Sequence, residues 1–490
     1  MSNNKTTSTI SHRIYEIQEL LKNNPLQPVI DFNNTNNISD FYLSKSNSDN
    51  TSNHTNNSYN TRVVLNKKIH TWRKVIKKLG CYDLCYIKSG TTGHTFKGKT
   101  KTKKGDIDYG IKVVAYSKKS DYGKITDIRR PENAELMIIK LLSQFVIKGL
   151  TPHIVLPIGM FDTRIETFIN EDNVKDEKGK YHEFIKRYKK GELHDKVSIL
   201  ISEWANRGDL LDYIREKYTV ITPLHWKVIF FQILSTLAVI QCKYPSFRHN
   251  DLKANNILIN KVFNRNAKFI TYTIAGNVYC VPNIGYDIKL WDFDFACIPG
   301  IVENKKVESE WAHKKIGVAP VQNKYYDVHY FFNTLGEKGF CHDIFKTSYI
   351  SNEVKEFIKR VIPSKYRGYG KDGVKGYTHP RGRLMVNDEY ITPDEILKFD
   401  PYFKEFRINI NNKQNKQTSQ LNKNNTINNT TKNIIKARTT LPSILNNLDS
   451  STDTDDDIDI SKLLMGKKNI KNKNRTISDN VNKLIYSSDS

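Results

Sequence analysis

The chain has 490 residues and a formal charge of +25, with 26% charged and 38% hydrophobic residues. That balance is compatible with nucleic-acid or acidic-substrate contact, but a solvated lysine-rich surface with basic tails explains it more simply, and charge says nothing about fold. No apolar run approaches the ~20 residues of a membrane span, and Met1–Lys5 opens no apolar signal stretch, so membrane-spanning and secreted classes are set aside.

Six cysteines, Cys81, Cys85, Cys242, Cys280, Cys297 and Cys341, include no C-x-x-C pair. They read as reduced thiols of an intracellular protein rather than as a zinc site or disulfide framework.

Residues 1–61 are dominated by Asn, Ser and Thr and read as a disordered arm. Within it Ile14, Ile17, Leu20 and Leu21 recur at helical spacing, giving either a partner-docking helix or a transient one. Residues 63–79 predict a basic helix ending at Gly80, and Tyr82–Ile87 a strand. Lys88-Ser89-Gly90-Thr91-Thr92-Gly93-His94-Thr95 follows as a glycine-rich turn, whose backbone N–H groups could approach phosphates closely. Tyr109–Val114 predicts a strand carrying Lys112 among apolar neighbours, a costly place for a lysine unless it is paired. Pro131–Gln144 predicts a helix with Glu132 and Glu135 as candidate partners, Glu132 being also explained by the helix dipole. Residues 164–196 read as a charged solvent loop or extended hairpin. Val197–Ile201 reads as a buried strand leading into Ser202-Glu203-Trp204-Ala205.

After a strongly periodic helix from Thr222 onward comes His249-Asn250-Asp251-Leu252-Lys253-Ala254-Asn255-Asn256. Phe269–Val281 predicts a surface hairpin turning at Ala275-Gly276-Asn277, and then Leu290-Trp291-Asp292-Phe293-Asp294 leaves an apolar strand. Phosphoryl transfer needs such an inventory. One carboxylate orients the attacking hydroxyl and takes its proton, one ammonium neutralises the moving group, and a carboxylate with an amide oxygen holds magnesium.

In this order the motifs resemble the eukaryotic protein kinase family over roughly residues 82–406. The resemblance implies an α+β bilobal protein kinase-like fold with a small β-rich N-lobe and a larger helical C-lobe. An extension helix and N-lobe would occupy 62–203 and the C-lobe 204–406, followed by a disordered Asn/Lys/Ser-rich tail at 407–490. It implies transfer of the γ-phosphoryl of Mg-ATP to protein Ser/Thr hydroxyls. Asp251 would be the base and Lys253 the charge-neutralising lysine, with Asn256 and Asp292 on Mg²⁺. Residues 88–95 would cover the phosphates, with Gly90 and Gly93 in glycine places. Lys112 would be fixed by Glu135, with Glu132 as alternative. Backbone groups at Glu203 and Ala205 would meet adenine, and Asp327 would brace the catalytic loop.

Three departures stand out. Asn250 replaces the arginine that precedes the base and normally receives an activation-segment phosphate, so control independent of such phosphorylation is expected. Asp294 replaces a glycine and adds negative charge near the metal. Ala319-Pro320-Val321 only weakly matches A-P-E. Two rivals remain open: a choline- or aminoglycoside-type kinase, because of His249-Asn250-Asp251, and a nucleotide-binding pseudokinase. Composition also resembles kinases of giant nucleocytoplasmic DNA viruses. The expected setting is cytoplasmic, in a virion or in a viral factory. Protein substrates are expected, with the tails available to a viral or host partner. The acidic stretch Asp449–Asp457 reads as a charged tail, and residues 363–390 have no assigned use.

Overall fold

The computed structural model describes residues 10–22, 24, 26, 29–30, 65, 67–89, 93–169, 179–262, 267–336, 344–368 and 377–408. The acidic stretch 449–457, and Gly90, Thr91 and Thr92 of the glycine-rich turn, fall outside them.

Five antiparallel strands build the first lobe: β1 (Cys81–Ser89), β2 (Gly93–Thr102), β3 (Gly105–Ser117), β4 (Pro157–Arg164) and β5 (Leu193–Glu203). Their spatial order is β1-β2-β3-β5-β4. Side chains alternate between faces, so the cross-strand pair Thr95↔Lys112 lies on one face and His94↔Val113 on the other. Helix α1 (Ile10–Leu21) and α2 (Trp72–Lys78) precede the sheet, and α3 (Pro131–Ile147) crosses it with Pro131 in its first turn.

The described part of the insertion between β4 and β5 is helical rather than a solvent loop or extended hairpin. It contributes α4 (Ile165–Ile169) and α5 (Lys180–Lys189). Their Phe168, Tyr181 and Phe184 pack around His94, with ring centroids 4.9–5.8 Å from it. His94 is therefore an aromatic-core residue, not part of a phosphate-covering loop. Strand alternation turns it to the face opposite Lys112.

The second lobe is mainly helical: α6 (Leu210–Lys217), α7 (Pro223–Lys243), α8 (Lys305–Glu308), α9 (Tyr326–Leu335), α10 (Asn352–Val361) and α11 (Pro393–Phe399). Thr222 caps α7 by accepting from the His225 N–H. By length and apolar content α7 would pass for a membrane span, but most of it is buried inside the protein. Trp226, Ile229, Phe230, Ile233, Leu234 and Leu237 are at most 1% exposed. Burial of each such side chain contributes ~1.5–3 kcal/mol. This is why the helix is a firm support for the loop it delivers.

Two hairpin-like ladders complete the lobe, β6 (Ile257–Lys261) with β9 (Tyr286–Leu290), and β7 (Phe269–Ile274) with β8 (Asn277–Pro282). The second ladder turns through Ala275 (φ 47°) and Gly276 (φ 78°), the left-handed pair that a two-residue hairpin needs. It is not merely a surface decoration: Tyr272, Ile274, Tyr279 and Val281 are buried, with Tyr272 and Tyr279 against Phe231 of α7.

Helix α1 also departs from expectation. A transient helix in a disordered arm would leave its side chains in solvent. Instead Arg13, Ile17 and Leu20, spaced along one helical face, are buried against the folded unit. The five described cysteines, Cys81, Cys85, Cys242, Cys280 and Cys297, are all free thiols.

Candidate active site

The β6–β9 ladder sets the geometry. Ile257 pairs with Leu290, so the residues just outside the ladder, Asn256 and Trp291, are neighbours, joined by a Trp291 N–H to Asn256 C=O bond of 3.1 Å. The loop ending at Asn256 and the turn beginning at Asp292 are thereby held side by side.

Asp292 stands at φ 61° and Asn250 at φ 64°, left-handed conformations that cost ~1–3 kcal/mol in a residue with a side chain. At Asn250 the surroundings enforce the conformation. The buried Asp327 carboxylate accepts from His249 N–H (2.7 Å) and Asn250 N–H (2.9 Å). The Asn250 side chain donates to the Phe295 carbonyl at 2.9 Å. Asp327 thus braces this loop through two main-chain bonds, the arrangement expected from the sequence.

Lys112 crosses from the first lobe to this turn. Its Nζ lies 2.5 Å from Glu135 Oε1 and 2.8 Å from Asp292 Oδ1. Glu132 is not the partner; it pairs with buried Arg130 at 3.1 Å. Burial alone would lower the Lys112 pKa, but the Asp292 and Glu135 carboxylates outweigh it and hold it above the usual lysine range. Burial would likewise raise Asp292, yet Lys112 brings it down to about 2. At Glu135 burial dominates, and with repulsion from Asp292 and Asp294 it pushes the carboxyl up to about 7.

Asp251 is gripped at both oxygens. Oδ2 accepts from Asn256 Nδ2 at 2.9 Å and faces Lys253 Nζ at 3.3 Å, while Oδ1 takes a bond from Arg383. With its amide nitrogen turned to Asp251, Asn256 presents its amide oxygen away from the carboxylate. The Asp292 side chain remains 36% exposed. One carboxylate and one amide oxygen on adjoining loops form a hard-oxygen pair suited to Mg²⁺.

The remaining predicted residues divide. Thr95 shares the Lys112 face of the sheet. Gly93 sits close to Val113, where a Cβ would meet that residue's carbonyl oxygen at 2.7 Å. Ser89 ends β1. Lys88 reaches across to Asp209 at the start of α6, 2.8 Å away, and so links the two lobes. Ala205 is buried just after β5.

The Glu203 side chain has a role that the sequence reading does not assign. Its carboxylate takes Arg13 Nε at 2.9 Å, Arg13 Nη2 at 2.5 Å, Lys289 at 2.9 Å and the Leu156 N–H at 2.8 Å. Burial opposes ionisation, but Arg13 and Lys289 overcome it and hold Glu203 at about 2. Asp294 is also compensated: Lys306 pairs with it and lies 3.8 Å from the Phe295 ring centroid. The added negative charge therefore does not stand alone beside Asp292. The segment after it is further held by Lys305 on Asp127 at 2.8 Å.

Arg13, Arg383, Lys306 and Asp209 carry no role in the sequence reading. Arg13 was detectable in principle, four and seven residues before Ile17 and Leu20 on one helical face. Arg383 gives no local signal, since its partner lies 132 positions away.

Residues 107–368 match the family described as poxvirus serine/threonine protein kinase. A protein of Acanthamoeba polyphaga mimivirus named "putative serine/threonine-protein kinase" is 42% identical over 425 residues, covering 83% of this chain and 84% of that protein. A second mimivirus protein of the same description is 35% identical over 77 residues, 16% of this chain and 19% of its own length. The chain belongs to the poxvirus serine/threonine protein kinase family.

Proposed function

We propose that this serine/threonine kinase uses Mg-ATP and transfers the γ-phosphoryl group to Ser or Thr hydroxyls of protein substrates, with Asp251 as base. The observation that carries the reading is Lys112 Nζ, 2.5 Å from Glu135 and 2.8 Å from Asp292. A buried lysine held at the facing edges of both lobes, beside the partly exposed Asp292, is the arrangement that a ligand cleft uses.

In this reading Lys112 orients the α/β-phosphates, and Asp251 accepts the proton of the attacking hydroxyl. Lys253, 3.3 Å from Asp251, stabilises charge on the transferring group. Asn256 and Asp292 would hold Mg²⁺, which when bound neutralises phosphate charge. The chain's own contribution is alignment and electrostatics, since direct transfer forms no covalent bond to protein. Backbone groups at Glu203 and Ala205 are proposed to meet adenine. Gly90 to Thr92, with Ser89 and Gly93, are proposed to cover the phosphates. The free thiols suit a reducing setting, which we propose is the host cytoplasm or a viral factory. The tails are proposed to reach viral or host partners.

The experiment is labelled-ATP transfer onto a mixed protein and peptide pool by wild type and Asp251→Asn, with nucleotide binding followed in parallel. Label on Ser and Thr from wild type, with binding but no transfer from the variant, is the expected result. Equal incorporation by both removes Asp251 as base. Binding without transfer by wild type favours a scaffold, and transfer only to small alcohols or amines favours the small-molecule kinase.

A further inference from the structure

We propose that Arg383 is a positioning residue for phosphoryl transfer, fixing the Asp251 carboxylate from a segment that otherwise has no assigned use; this rests on Asp251 being the base. Arg383 is 5% exposed. One guanidinium nitrogen donates to Asp251 Oδ1, and Nε donates to the Asn250 carbonyl at 3.3 Å. A planar fork thus spans the backbone and side chain of two consecutive residues of the loop, a geometry that an ammonium cannot reproduce.

The fork is itself held by α9. Three residues on one face of this helix, spaced three apart, divide the work. Asp327 takes the His249 and Asn250 N–H groups. The Tyr330 ring lies 4.2 Å from the Arg383 guanidinium carbon. Asn333 donates to the Gly382 carbonyl at 2.9 Å. Gly382 has φ 75°, which lets the turn His379–Arg383 close on its own backbone, with His379 N–H donating to the Arg383 carbonyl at 2.8 Å. One rigid helix therefore sets both the loop backbone and the cation that orients its carboxylate.

The chemical consequence is rotational. Asn256 and Lys253 grip Oδ2, and Arg383 grips Oδ1, so the carboxylate plane is fixed while each oxygen retains lone-pair capacity for a substrate hydroxyl. Removing Arg383 frees one end of the base without altering the nucleotide contacts.

The test compares wild type, Asp251→Asn, Arg383→Ala and Arg383→Gln in steady-state transfer from ATP to a peptide. Arg383→Ala is expected to lower kcat about 100-fold with both KM values nearly unchanged, the scale of a misplaced reacting group. Added methylguanidinium is expected to restore part of that kcat, and to do nothing for Asp251→Asn. Arg383→Gln keeps the stem over Tyr330, so it is informative even where the alanine protein does not fold; a kcat loss of about tenfold or more is expected. A folded Arg383 variant with wild-type or higher kcat overturns the proposal, and higher kcat would mark the contact as inhibitory. Loss without rescue by methylguanidinium also overturns it. An active Asp251→Asn protein would instead defeat the base assignment, so the two failures are distinguishable.

Discussion

Arg13→Met is the most direct test of how the first helix is tied to the segment joining the lobes. Arg13 is 4% exposed and makes four short polar contacts. Two go to Glu203 at 2.9 and 2.5 Å, and two go to the Pro152 and Ile154 carbonyls at 2.7 Å. Methionine preserves apolar bulk but leaves Glu203 with one cation. Breaking a buried ion pair from one side costs about 3–5 kcal/mol. Lys289 remains 2.9 Å from Glu203, so the lower end applies, about 3 kcal/mol. Urea unfolding of Arg13→Met, Glu203→Gln and the double variant measures both the loss and the coupling. The two single losses should fail to add by more than ~1 kcal/mol. A loss under ~0.5 kcal/mol for Arg13→Met, or simple additivity, would refute the clamp.

Acid titration gives a second check. Glu203 falls from an ordinary 4.5 to about 2 in the folded protein. The unfolded state therefore binds more protons across that window. Stability from this group is complete above about 4.5 and is lost as pH falls through about 2, and the difference amounts to ~3 kcal/mol. In Arg13→Met that acid-side slope, followed by unfolding midpoints between pH 2 and 5, should flatten. Asp327→Ala leaves two buried N–H groups without their acceptor and should lose ~2–3 kcal/mol. It should also lower kcat with little change in KM for ATP, read by calorimetry and steady-state kinetics. Lys306→Met strands the Asp294 carboxylate and should cost about 3 kcal/mol. Adding Asp294→Asn should recover most of that in thermal unfolding; no recovery would mean that Lys306 acts through other contacts.

Much of the site was readable along the chain because its chemistry lies in short ordered motifs. Lys112, Glu135, Asp251, Asn256, Asp292 and Asp327 sit on or beside strongly periodic elements, and it is the order of their motifs, through its resemblance to the protein kinase family, that groups them into one site. His94 departs from its neighbours in the glycine-rich stretch because adjacency in sequence is not adjacency in space: strand alternation sends it to the face opposite Lys112. The 164–196 segment looked like solvent loop because its charges outnumber its aromatics. Phe168, Tyr181 and Phe184 nonetheless form a core around that histidine. Lys306 and Arg383 are illegible for a different reason. Each takes meaning only from a carboxylate elsewhere in the chain, and no local pattern names such a partner.

The tie between α1 and Glu203 bears on how this enzyme can be shortened. A fragment begun at the first strand would retain Lys112, Glu135, Asp251, Asn256 and Asp292. It would nonetheless lose Arg13 and the buried Ile17 and Leu20, and leave Glu203, beside the crossing between lobes, with Lys289 as its remaining described cation. Inactivity of such a fragment would report a damaged joint rather than faulty chemistry. A fragment meant to keep this joint intact therefore starts at α1, well upstream of where motif matching alone would cut.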